Sequence, residues 1–116
     1  MTGSRSISAS GSAPVDLSEG FLRAVRAGEE RDAERESARD RLAGLDPADL
    51  DALGSDERLA FWLNAYNAAT GDALLSDPTR FEDRRRFFSA PVVTVAGEAL
   101  SLDTIEHGIL RGSQWK

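Results

Sequence analysis

The chain of 116 residues contains no cysteine. That excludes disulfides, thiolate metal sites and a cysteine nucleophile within it, and it fits a reducing compartment. Lys116 is the only lysine, so nearly all of the positive charge is arginine. With abundant Asp, Glu and Ala, this composition suits either a salt-rich cytoplasm or a GC-rich genome. His107 is the only histidine; with no second histidine or cysteine beside it, zinc-type ligation has too few donors, and neither a metal nor a cofactor is expected. No apolar run approaches the length of a membrane span. The first 14 residues are rich in Ser and Gly and lack the apolar stretch of a secretory signal. The expected location is therefore the cytoplasm.

What is present is acid. The formal net charge is -6 and the pI about 4.7. The resulting field repels phosphate and argues against nucleic acid and anionic membrane as partners. The length suits one domain, and 41% hydrophobic residues suffice for a modest core. Most large apolar residues follow Leu42, which places that core in the second half of the chain.

Residues 1–14 read as a disordered tail, too polar to offset the ordering entropy. Residues 15–45 read as amphipathic and charged helices. The first carries Leu17, Phe21, Leu22 and Val25, begins near Asp16 or Ser18 as caps, and stops at Gly28. In the stretch Glu29 to Arg41, Arg31, Arg35 and Arg39 recur every four residues among acids. This predicts a solvated, salt-bridged helix or linker; the alternative, a phosphate-binding arginine stripe, is opposed by the interleaved acids. Asp46-Pro47 opens a short helix with Leu50 and Leu53. Gly54-Ser55 breaks it, and Ser55 is placed to cap a helix that runs to about Ser76, where Asp77-Pro78 stops it. Thr79 to Ala90 reads as a loop holding Arg80, Arg84, Arg85 and Arg86 beside Phe87 and Phe88. Such a loop can contact nucleic acid, but Glu82 and Asp83 dilute its charge, and the phenylalanines read as anchors to the core. Val92 to Val95 is a strand by its β-branched content, Ala96-Gly97-Glu98 a turn, and Ala99 to Ser101 a short partner strand. Ser101 caps a last helix, Leu102 to Leu110. The fold class is α+β, predominantly helical, with four to five helices and a small β-hairpin.

Two helices carry the chemistry. Between Asp56 and Ser76, Leu59, Trp62, Leu63, Tyr66, Ala69, Ala73 and Leu74 share one face, while Phe61, Ala65, Ala68 and Leu75 lie elsewhere, so the helix reads as buried nearly all round. Asn64 and Asn67 form an amide strip upon it. A buried amide needs hydrogen-bond partners or costs about 1–3 kcal/mol, so the pair either fixes a crossing backbone or orients a catalytic group or ligand. In the last helix Leu102, Ile105, Ile109 and Leu110 form the apolar face, and Glu106 falls inside it. A carboxylate there must pair, accept hydrogen bonds or take up a proton. His107 lies four residues after Asp103, within reach of a local hydrogen bond. Glu106 and His107 are thus candidate acid/base residues, although a lone histidine is also a common structural residue.

The block Leu59-Ala60-Phe61-Trp62-Leu63-Asn64-Ala65-Tyr66-Asn67-Ala68, then Phe87-Phe88, the valine strand and Leu100-Ser101-Leu102-Asp103-Thr104-Ile105-Glu106-His107-Gly108-Ile109-Leu110-Arg111 resembles the domain of unknown function 547 family. The resemblance runs from about Asp56 to Gly112, and residues 46–116 read as the N-terminal part of the family domain. It implies a mixed α and β domain that goes on to cysteine-bearing blocks this chain does not contain, so the expectation is a partial domain completed by a missing C-terminal half or by another chain. By analogy it implies a thiol hydrolase or transglutaminase-like chemistry, with His107 as general base and a nucleophile beyond Lys116. Two hypotheses stand: the enzyme that the resemblance implies, or a protein-interaction module in which Asn64, Asn67, Asp103, Glu106 and His107 form a structural polar centre, with Asn64 and Asn67 facing Glu106 and His107.

Overall fold

Proline is tolerated in the first turn of a helix, where its missing N–H has no intrahelical acceptor. Pro14 accordingly lies buried within helix α1, Ala13–Ala27, which begins before the expected caps. The computed structural model describes residues 13–110; the tail expected over 1–14 falls outside them except for Ala13 and Pro14, which are helical. Ser18 is not a cap but a fully buried residue in mid-helix, its hydroxyl donating to the Val15 carbonyl at 2.7 Å. Gly28 ends α1 with φ +76°, the left-handed conformation that glycine reaches without steric cost. A short 3₁₀ turn, Gly28–Arg31, leads into α2, Asp32–Ala43.

Helix α3, Pro47–Asp51, is capped by Asp46, whose carboxylate accepts from the Ala48 N–H at 2.9 Å. Helix α4 spans Ser55–Ser76. Its N-cap is Gly54 and not Ser55: Glu57, three residues into the helix, accepts from the Gly54 N–H at 3.1 Å. The segment expected to be a loop after Asp77-Pro78 is ordered into a 3₁₀ turn, Pro78–Glu82, and helix α5, Arg84–Ser89. Two short-range caps account for the difference. Asp77 accepts from the Thr79 N–H and hydroxyl, which hold its carboxyl below the usual range, and Asp83 accepts from the Arg86 N–H. Phe87, 1% exposed, anchors α5 to the core.

The buried stripe of α4 is Phe61, Trp62, Ala65, Ala68, Ala69, Asp72 and Ala73. This is rotated from the face expected to be buried. Leu63 is 44% exposed, and Leu59 and Tyr66 are half-buried. Four alanines in the stripe explain the rotation, because small side chains let α1 approach the helix closely. Gly71 takes the approach furthest: a Cβ built there would lie 2.5 Å from Val25 Cγ1 of α1. Gly71→Ala should therefore destabilise the domain by about 1–2 kcal/mol, overpacking of about 1–3 kcal/mol outweighing the helix propensity of alanine. Adding Val25→Ala should relieve the clash. Urea unfolding of the two variants checks this; a more stable single variant would show that the helices do not meet there.

Strands β1, Pro91–Val95, and β2, Glu98–Ser101, form an antiparallel hairpin in which Val95 faces Glu98. The two turn residues, Ala96 and Gly97, both have positive φ (52° and 86°), as a type I′ turn demands. Alanine in this region costs about 1 kcal/mol, and the turn's surroundings account for its persistence. The Ala96 and Gly97 N–H groups donate to the Leu42 and Ala43 carbonyls, each at 2.9 Å. Those carbonyls close α2, where the last turn has no intrahelical donors.

The chain ends its described course in a π-helical segment, Thr104–Leu110, reached through Leu102 and Asp103. Ser101 receives the Thr104 N–H at 3.1 Å, in the capping position expected for it. The core joins both halves of the chain. Phe21, Ala38 and Leu42 of α1 and α2 belong to one cluster with Phe61, Trp62, Phe87, Val93, Val95, Leu100, Leu102 and Ile105. The fold is α+β and predominantly helical, with five α-helices and one hairpin among the described residues, as the sequence pattern implies.

Candidate functional site

The π-helical segment packs on α4, with its Ile105 and the preceding Leu102 fully buried. Glu106 is half-buried, and its Oε1 accepts from the Tyr66 hydroxyl of α4 at 3.4 Å. Burial pushes the Tyr66 phenol above its ordinary value, and the negative charges of Glu106 and then Asp103 push in the same direction. Tyr66, Glu106 and Asp103 therefore form one polar cluster, with a phenol held neutral as donor to a carboxylate.

The asparagines are placed differently from the expectation. Asn64 is half-buried, and its Nδ2 donates to Ser18 Oγ of α1 at 3.2 Å; Asn67 is exposed. Tyr66, between them in sequence, is the residue of α4 that hydrogen-bonds Glu106. His107 is exposed, and no hydrogen bond joins it to Asp103 among the described residues. No group of three or more His, Asp or Glu side chains suited to a metal occurs among those residues either.

The Tyr66 cluster makes stability depend on alkaline pH. A phenol whose pKa is raised by folding contributes stability that is complete below the unfolded value, near 10, and is lost as pH rises from there through the folded value. Urea midpoints should accordingly fall between about pH 9 and pH 12 more steeply in the native chain than in Tyr66→Phe. The variant should also lose about 1 kcal/mol at neutral pH with the hydrogen bond to Glu106. Equal alkaline slopes would remove Tyr66 from this role.

A second polar cluster was not legible beforehand. Asp72 of α4 is 4% exposed, and its Oδ1 meets Arg35 Nη1 at 2.6 Å and Arg39 Nη1 at 2.7 Å, both from α2. Arg35 also pairs with Asp32. The bond to Asp32, and then that to Asp72, raise the Arg35 pKa against the opposing effect of burial, so the guanidinium stays charged. The helix expected to be solvated thus turns two of its three spaced arginines inward, and only Arg31 pairs on the surface, with Glu34. The signal available in the sequence was Asp72 itself, an acid in register with the alanine stripe.

Beside the π-helical segment lies an open groove of about 490 Å³. Leu50, Trp62, Val95, Leu100 and Ile109 supply its apolar lining, and Asp51 and Glu98 its exposed acidic rim. Arg58 also borders it, but its Nη2 is engaged by the Asp51 and Leu53 carbonyls, each at 3.3 Å.

The family model described as "Protein of unknown function, DUF547" matches residues 50–116. The chain belongs to the DUF547 family. The DUF547 match takes in α4, the hairpin and the π-helical segment, hence both partners of the Tyr66–Glu106 bond and most of the groove, while Arg35 and Arg39 precede it. No curated protein and no solved structure matches the chain. Among the described residues, no helix is long and apolar enough to cross a membrane.

Proposed function

We propose that this DUF547 chain is a protein-interaction module. The observation that carries the reading is the groove: an apolar trough with an acidic rim, bordering a helical segment of unusual winding. Segments of π-helix are uncommon and concentrate at functional sites. The polar centre of Tyr66, Glu106 and Asp103, with Asn64 tied to Ser18, acts in this reading as the network that holds the trough open, and His107 and Asn67 are exposed. The preferred partner is a protein segment with an apolar side chain flanked by basic residues, and the working location is the cytoplasm. Two blocked tripeptides test the reading, Arg-Phe-Arg and Glu-Phe-Glu. In NMR titrations the first should shift the Trp62 indole and the Leu50, Val95 and Ile109 methyl resonances saturably, and the second should bind at least several-fold more weakly. Absence of shifts, or equal binding of both peptides, would sink it.

A second reading rests on the exposed His107 imidazole, one residue from a half-buried glutamate. Here His107 acts as general base, Glu106 shapes its surroundings, and a thiol nucleophile is brought by residues outside this chain, giving thiol hydrolase or transglutaminase-like chemistry. His107→Ala would then abolish activity and leave unfolding unchanged, whereas loss of folding would assign His107 a structural role.

A further inference from the structure

The groove has a counterpart elsewhere on the chain. Phe81 and Leu63 are the exposed large hydrophobic residues among those described. The Phe81 ring stands edge-on to buried Phe87 at 5.4 Å, and the Arg84 guanidinium lies over it, 4.9 Å from its centroid. Arg84, Arg85 and Arg86 of the segment that follows are exposed, as is Glu82, and Arg80 is half-buried. Seven residues, 80–86, hold four arginines and two acids in a chain of net charge -6. One of those acids, Asp83, is engaged in capping α5. The result is an aromatic knob, partly covered by one guanidinium, in a segment of net positive charge. The groove has the opposite character, an apolar trough rimmed by Asp51 and Glu98 whose one arginine is engaged with backbone carbonyls. Its volume lies within the range of roughly 300–1,000 Å³ that accommodates compact apolar groups.

From this complementarity of charge and shape we infer that the groove receives the knob of a second copy of this chain, so that copies associate head to tail. The inference rests on the interaction reading given above and names its partner. Because knob and groove are different surfaces, the contact is heterologous, and successive copies build a ring or an open chain instead of stopping at a symmetric pair. The opposed charges set the register and make the contact sensitive to salt.

Sedimentation velocity of the full chain tests this with two charge-swapped variants, Arg84→Glu/Arg85→Glu and Asp51→Arg/Glu98→Arg. All four substituted residues are exposed, and far-UV circular dichroism verifies that the variants fold. The native chain should gain mass with concentration at low salt and return towards the 12.5 kDa monomer at about 0.5 M salt. Each variant alone should remain monomeric, and an equimolar mixture should regain association, since each then offers a complementary surface to the other. A native chain that stays monomeric at low salt, or association that survives either swap, overturns the inference. If the native chain is monomeric while Arg-Phe-Arg still fills the groove, self-association fails and the interaction reading stands. If the peptide also fails to bind, both fall.

Discussion

Asp72→Ala should cost the domain about 3–5 kcal/mol, the usual loss when one partner of a buried ion pair is removed and the other charge stays buried. For a domain of this size that lowers the melting temperature by roughly 4–8 °C for each kcal/mol. The magnitude follows from where the charges are. Asp72 is 4% exposed and Arg35 7%, so neither recovers water when the other is deleted. Arg39 is less enclosed and can turn towards solvent. Burial also makes the cluster an inefficient source of stability. Arg35 Nε is buried with no partner among the described residues, and desolvation of both ions opposes their attraction. Arg35→Met combined with Asp72→Leu should therefore recover most of the loss. Urea denaturation of Arg35→Met, Asp72→Leu and the double variant measures the coupling; additive losses would mean that the pair is not the unit that matters.

Phe87→Ala should be comparable, about 3–5 kcal/mol, as for a fully buried phenylalanine replaced by alanine. Phe87 stands edge-on to Phe81 at 5.4 Å and to Phe88 at 5.3 Å. Its removal opens a cavity in the core and also loses two favourable aromatic contacts. Thermal unfolding checks the global loss. Hydrogen exchange within Arg84–Ser89 should rise by a larger factor than in α4, because the six residues of α5 have little else to hold them. Uniform exchange across both helices would show that α5 does not depend on this anchor.

The elements with punctuation of their own were legible in the sequence. Asp46-Pro47, Gly28, Asp77-Pro78 and the β-branched run Val92 to Val95 each mark a boundary by local chemistry, and the structure places elements accordingly. The class of fold followed from them, and the family from the residue blocks Leu59 to Ala68 and Leu100 to Arg111. What depended on partners in space was not legible. The periodicity of α4 admits two adjacent faces, and only the approach of α1, with the arginines that α2 extends to Asp72, selects the alanine stripe over the bulkier strip of Leu59, Leu63 and Tyr66. Arg35 and Arg39 looked solvated because their counter-ion lies more than thirty residues away. Helix α5 was hidden by its arginines, since a segment of six residues held by one carboxylate cap and one phenylalanine carries no amphipathic repeat. At the candidate site, Glu106 was conspicuous as an acid on an apolar face, but that Tyr66 and not an asparagine meets it depends on the rotation of α4.

The bonds from Ala96 and Gly97 to the carbonyls of Leu42 and Ala43 bear on how this domain can be excised. The family match begins at residue 50, and a fragment cut there keeps the hairpin but loses α1 and α2. Two turn amides would lose their acceptors, the strained alanine would lose its restraint, and Asp72 would lose both of its arginines. The N-terminal helices are thus part of the folding unit, and a truncation that respects it starts ahead of Ala13.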